Sequence, residues 1–236
     1  MIEPGEVISY RMMCDLESVN TLQRGMNFQL RPGHSVLLMS RRDNAPYEDA
    51  VSSDGRELEY EGHDEPKTKG CPNPKAMDQP LSYPSGKPTQ NGKFWEAAKK
   101  RGSSDQAERV RVYEKLLAGV WVYNGTFALR DAHRKESGGR LVCKFTLELL
   151  AQQEPIGVGV VHVPEVSGLQ HTRLIPSDVK QEVWRRDRGQ CVKCGSGDNL
   201  HFDHVVPFSR GGSSLLAANI QLLCARHNLQ KSDRIE

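Results

Sequence analysis

Cys191-Val-Lys-Cys194 and, after twenty-nine intervening residues, Cys224-Ala-Arg-His227 constrain this chain more than any other feature. Two steps of the form C-x-x-[C/H] supply four soft ligands at the spacing a tetrahedral ion takes. Four protein ligands close the coordination shell, so the ion, zinc by ligand type, is expected to be structural. Residues 177–236 number only sixty, and a module of that size often needs a metal to stay folded. Ordinary buried cysteines would not account for ligand spacing at both steps.

Between the knuckles lies "HFDHVVPFSRGG", residues 201–212. The pattern predicts a strand over Leu200–His204, a glycine-rich loop, an antiparallel strand over Asn219–Leu223 and a helix over Ala225–Ser232 packed across both. Asp203 at the strand end and Asn228 on the helix would then converge. They offer two hard oxygen ligands and leave positions open for water and phosphate, as Mg²⁺ or Mn²⁺ prefers. His204 would stand beside them as a neutral imidazole able to take a proton from water, with activity falling at low pH. His201 is expected to be structural.

The chain has 236 residues, 37% hydrophobic and 26% charged, which fits a globular protein in solution. No apolar run is long enough to span a bilayer, and the N-terminus, acidic and broken by Pro4 and Gly5, does not read as a signal peptide. A cytoplasmic location is expected. A net charge of +2 does not announce a polyanionic partner, but the distribution is uneven. Residues 43–65 hold nine acidic and one basic residue, and residues 67–101 hold eight basic and two acidic ones. The second run is a plausible phosphate track.

Upstream of residue 160 the chain reads mostly as β. "HSVLLMS", "RVRVYEKLLAGVWVYNGTFAL" and "RLVCKFTLELL" are rich in β-branched and aromatic residues between turn signals. Leu141, Cys143, Phe145, Leu147 and Leu149 alternate, which makes Cys143 a buried strand residue. Cys14 and Cys71 show no partner pattern. "NGKFWEAAKKRG" predicts one short helix, with Asn91 as its N-cap and Gly102 as its stop. Residues 66–92 read as a long loop. The fold class is α+β: a β-rich domain over 1–155, a Pro- and Gly-bearing linker over 156–176, and a small module over 177–236 opening on a helix capped by Ser177.

"CVKCG…HFDHVVPFSRGGS…NIQLLCARHN" resembles the HNH nuclease family, whose fold is the ββα-metal finger. The resemblance implies His204 as general base, Asp203 and Asn228 as ligands of a catalytic divalent ion, and Asn219 as the brace of the loop carrying the base. It places Cys191, Cys194, Cys224 and His227 on structural zinc, His227 standing where many relatives have cysteine.

"APYEDAVSSDGRELEYEGHD", "MDQPL", "NGKFWEAAKK" and "VCKFTLEL", in that order, resemble the SRA (SAD/YDG) domains, PUA-like β-barrels that flip a modified cytosine out of DNA. The resemblance puts the flipped base between Tyr47 and Tyr60. Relatives continue the YED run with a second aspartate, where this chain has Ala50. The carboxylate reading the cytosine amine is then expected to be Asp49, with Glu61 second. Arg41, Arg42 and Lys93 are expected at phosphates. The pair of resemblances implies a bacterial modification-dependent restriction endonuclease, acting as a homodimer on double-stranded DNA carrying 5-methylcytosine or 5-hydroxymethylcytosine. The rivals are an HNH nicking or homing nuclease reading unmodified DNA, and a non-enzymatic reader with a zinc module.

Overall fold

The computed structural model describes residues 2–40, 47–64, 66–67, 73–100, 107–151, 174–207 and 210–231. In chain order the elements are β1 (Val7–Ser9), α1 (Tyr10–Leu16), β2 (Met26–Arg31), β3 (His34–Met39), β4 (Ala50–Val51), β5 (Glu57–Glu61), α2 (Gln90–Lys100), β6 (Arg109–Leu117), β7 (Val120–Ser137), β8 (Arg140–Leu149), α3 (Ser177–Arg186), β9 (Leu200–His204), β10 (Ile220–Cys224) and α4 (Ala225–Lys231). The class is α+β, as the sequence predicts.

One mixed sheet carries the first part of the chain in the order β2-β3-β6-β7-β8-β5-β4, with β1 added beside β7. Its spine is the antiparallel meander β6-β7-β8, and β3 joins β6 in parallel. Alternation explains the packing. Cys143, Phe145 and Leu147 of β8 point into the core, whereas Leu141 at the strand's start is exposed. Burial pushes the Cys143 thiol up to about 11, in keeping with an inert core residue. The edge strands β2 and β4 are not paired with each other among the described residues. Side chains close the gap instead: α2 inserts Phe94 between Phe28 and Phe145, and the Tyr60 hydroxyl of β5 donates across to the carbonyl of Leu38 on β3.

The helix readings need two corrections, both at the caps. α2 begins at Gln90, and the Thr89 hydroxyl accepts from the Gly92 N–H, so Thr89 caps the helix and Asn91 lies inside it. Residues 101–106, with the expected stop at Gly102, lie outside the described residues. Ser177 is the first residue of α3 and makes no capping bond. Within 66–92, a short 3-10 turn occupies Pro74–Ala76.

The two modules share a core. Val179 and Val183 of α3 and Leu200, Phe202, Ile220 and Leu222 of the β9-β10 hairpin pack with Leu116 and Val122 of the large sheet. β1 lies against β7 while Glu6, just before it, bridges to His201 of β9. At the end of the expected linker, Leu174 is buried in the first core and Ile175 in the shared one; residues 152–173 lie outside the described residues. At this seam Lys180 Nζ on α3 meets Glu114 Oε2 on β6 at 2.6 Å and Asn124 Oδ1 on β7 at 2.6 Å. Both charged side chains are 1% exposed. Burial opposes ionisation of Glu114, but Lys180 overcomes it and holds the carboxyl below the usual range.

Lys180→Met leaves that carboxylate buried and unpaired. It is expected to lower stability by about 3–5 kcal/mol, read by urea denaturation. Lys180→Met with Glu114→Leu should recover most of the loss, because no charge is then stranded. A depressed folded-state carboxyl gives stability that is present at neutral pH and lost as acid protonates it, so the wild-type advantage should shrink toward acid pH.

Candidate metal centres and base cavity

Cys191, Cys194, Cys224 and His227 come together at the end of the small hairpin, with ligand atoms all within 4.8 Å of one another. Cys191 and Cys194 lie on the turn after α3, Cys224 ends β10 and His227 sits in the first turn of α4. The spacing suits one tetrahedral ion, whose sulfurs at metal distance stand about 3.8 Å apart. Cys194 and Cys224 are separated by 3.9 Å, and His227 Nδ1 lies 3.4 Å from Cys191 Sγ and 3.3 Å from Cys224 Sγ. Burial raises the Cys191 thiol, but backbone N–H groups and His227 overcome this and lower it to about 6, favouring the thiolate a metal needs. These four residues form a metal-capable cluster.

The ββα arrangement predicted from the sequence is present. β9 and β10 pair antiparallel with His204 opposite Ile220 and Asp203 opposite Gln221, and α4 packs on both strands. The second strand starts at Ile220, one residue later than predicted, because Asn219 ends a 3-10 turn. Asn219 braces the loop from both sides. Its Oδ1 accepts from Val206 N–H at 2.8 Å, and its Nδ2 donates to the carbonyls of Val206 and Ser213 at 3.1 Å. Gly212 is required here, since a Cβ would stand 1.8 Å from the Val206 oxygen.

His204 Nε2 lies 2.8 Å from the Ser214 hydroxyl. Burial lowers its pKa, Lys231 adds to the effect and Asp203 opposes it. Asp203 Oδ2 is buried and has no hydrogen-bond partner, although Lys231 Nζ, 2% exposed, lies 2.8 Å from it as an ion pair. The Asp203 carboxylate is thus held by a buried cation, and it is a hard oxygen donor of the kind a divalent ion takes. Asn228 stands three residues before Lys231 on α4 and so shares the helix face that Lys231 turns to Asp203. His201 is buried in β9, as a structural role requires.

In the first module, Tyr47, Asp49 and Tyr60 line a single cavity of about 620 Å³, with His63, Tyr10 and Trp121. Tyr60 is 1% exposed and belongs to the core as well as to the wall. Asp49 receives the Glu61 N–H, and burial pushes its carboxyl up to about 7. Glu61 does not line the cavity. Its carboxylate is engaged by Lys144 at 3.2 Å and the Glu48 N–H at 3.1 Å, with Arg140 at 3.8 Å, which leaves Asp49 as the acid facing the space. Arg41 and Arg42 lie outside the described residues, and Lys93 is half-buried on α2.

Residues 191–234 match the family model for HNH endonuclease. The match covers the Cys/His knuckles, the loop after His204 and the whole of α4. No curated protein matches the chain. Among solved structures the chain is similar to the SUVH5 SRA domain in a complex with methylated CHH DNA, at 20% identity over 66% of this chain and 94% of that one, with a TM-score of 0.45. It is similar to SUVH5 SRA bound to fully hydroxymethylated CG DNA, at 22% identity over 66% and 95%, TM-score 0.45. Arabidopsis thaliana SUVH6 in complex with SAM is similar at 20% identity over 66% and 27%, TM-score 0.41.

Two partners of the HNH residues escaped the sequence reading. Lys231 follows Asn228 by one helical turn, a spacing that could have flagged it. Ser214 is ten residues from His204 and meets it only through the loop's return. No helix among the described residues is long and apolar enough to cross a membrane.

Proposed function

We propose that the chain is a modification-dependent DNA endonuclease: the N-terminal cavity receives a flipped modified cytosine, and the HNH segment hydrolyses a phosphodiester bond. The observation that carries the reading is the convergence of Tyr47, Asp49 and Tyr60 on one cavity in a chain whose other end is an HNH segment. The sequence resemblance to SRA domains named these three residues independently of their geometry.

In the HNH site, the tautomer with Nε2–H donating to Ser214 leaves the Nδ1 lone pair of His204 to take a proton from the attacking water. Asn219 holds the loop so that the imidazole keeps that aim. Asp203 and Asn228 would hold a Mg²⁺ or Mn²⁺ ion, which supplies phosphate polarisation and charge relief at the leaving oxygen. Cys191, Cys194, Cys224 and His227 would hold a zinc ion, which would tie the hairpin to α4. In the cavity, Tyr47 offers a stacking face and Asp49 meets the exocyclic amine, a donor on the cytosine edge. Neither contact senses C5, so the preference for 5-methyl- or 5-hydroxymethylcytosine rests on apolar wall beside that carbon, worth about 1–3 kcal/mol. One HNH site has one base and serves one strand at a time, and a two-fold homodimer would serve both.

The test is digestion of matched plasmids with and without modified cytosine, in Mg²⁺ or Mn²⁺. Preferential cutting of the modified plasmid is expected, and equal cutting of both would leave a nuclease that reads unmodified DNA. Tyr47→Ala should weaken binding to a modified duplex by about 1–3 kcal/mol while leaving the salt-sensitive binding to unmodified DNA nearly unchanged. Tyr47 serves better than Tyr60 for this measurement, because removing Tyr60 also opens the core. Titration of both duplexes at two salt concentrations reads the difference.

A further inference from the structure

The cavity wall contains a side chain that neither resemblance assigns. The His63 imidazole stacks on Tyr47, with ring centroids 4.7 Å apart and planes 8° from parallel. It also reaches the second tyrosine: His63 Nε2 lies 3.0 Å from the Tyr60 hydroxyl, with the rings 6.1 Å apart. A base stacked between two faces needs about twice the spacing of a single stacked pair. His63 therefore fills the place on Tyr47 where a base would lie.

The surroundings are built around that imidazole. Gly25 passes so close that a Cβ there would sit 2.3 Å from His63 Cε1. The His63 backbone is clamped on both sides by Asn91, whose Oδ1 accepts from its N–H at 2.9 Å and whose Nδ2 donates to its carbonyl at 2.8 Å. The main chain is thus fixed, and only side-chain rotation can clear the space. Burial lowers the imidazole to about 4, so the ring is neutral and leaves without stranding a charge.

We propose that His63 is a resident placeholder in the base slot, stacked on Tyr47 and bonded to Tyr60 in the free protein, and that a flipped base seats only by displacing it. This rests on the base-pocket reading above. A placeholder makes the binding-competent state a minority, and the apparent affinity falls by that fraction. It also raises the threshold for any base whose own contacts are weak, so His63 is a specificity residue for the pocket.

The test is titration of the full chain, without divalent ion so that nothing is cut, against matched modified and unmodified duplexes. His63→Ala is expected to bind the modified duplex about tenfold more tightly, because the stack and the hydrogen bond no longer compete with the base. Its binding to unmodified DNA should gain less. His63→Gln, which keeps a polar group for Tyr60 but loses the stack, should show a smaller gain in the same direction. It carries the test if the alanine variant melts early. Unchanged or weaker binding of the modified duplex by folded His63→Ala or His63→Gln would overturn the placeholder. Tyr47→Ala separates the two readings. If it keeps the full preference for modified DNA, the pocket itself is misplaced. If it loses the preference while His63 variants bind no better, only the placeholder falls.

Discussion

His204→Ala is expected to slow DNA cleavage by about 10²–10⁴-fold while modified DNA is bound as before. The side chain sits at the end of β9, half-buried, with Nε2 fixed by Ser214. Burial keeps it in the neutral form that can accept a proton. Among the described residues His204 is not part of the N-terminal cavity's lining, so affinity for the modified base should not move. Gel-based cleavage and equilibrium binding on the same duplex separate the two effects. A variant that cuts at the wild-type rate would assign the base elsewhere. Ser214→Ala should produce a milder loss, since it frees the ring without removing it.

Cys224→Ser is expected to unfold the HNH segment and to carry the stability of the whole chain down with it. A structural zinc contributes about 10–16 kcal/mol of apparent binding energy, as much as or more than the entire stability of a typical domain. Cys224 closes β10 and belongs to the core shared with Leu116 and Val122 of the large sheet. The loss should therefore not stay local. Elemental analysis should find close to one zinc per wild-type chain and much less in the variant. Trp184 packs against this core, so its fluorescence should shift to the red. Brief EDTA treatment of the wild type should behave differently: cleavage stops, zinc stays, and Mg²⁺ or Mn²⁺ restores activity. A Cys224→Ser chain that melts like the wild type would remove the metal from the folding argument.

The C-terminal part was legible in the sequence because its chemistry is local. Knuckle spacing, the Asp203-His204 pair and Asn219 each lie within a few residues of a recognisable signal, and the hairpin brings them together in the order read. Strands β3, β6, β7 and β8 were legible by their β-branched and aromatic content between turn signals, and β8 by its alternation as well. The strand β1 was not, since three residues show no period and only its partner β7 makes it a strand. The residue type of Asn91 favours a cap, but tertiary contact wins, and both of its amide atoms hold His63. Lys180 and Glu114 could not be paired from a distance along the chain, and neither could Tyr47 and His63. Nothing local to Glu61, the second candidate after Asp49, shows that Lys144 and Arg140 claim its carboxylate.

The seam between the modules bears on how such a chain could be recombined. Residues 177–236 look like a cassette that could be cut out and grafted onto another reader. The graft would arrive incomplete. It would leave behind Leu116, Val122 and Glu114, and with them the N-terminal segment whose Gly5 carbonyl accepts from Phe202 N–H. Val179, Val183 and Phe202 would turn to water, and Lys180 would lose its counter-charge. The transplantable unit is discontinuous, built from the two ends of the chain and a stripe of its middle, so exchanging one function for another here means redesigning a surface rather than moving a segment.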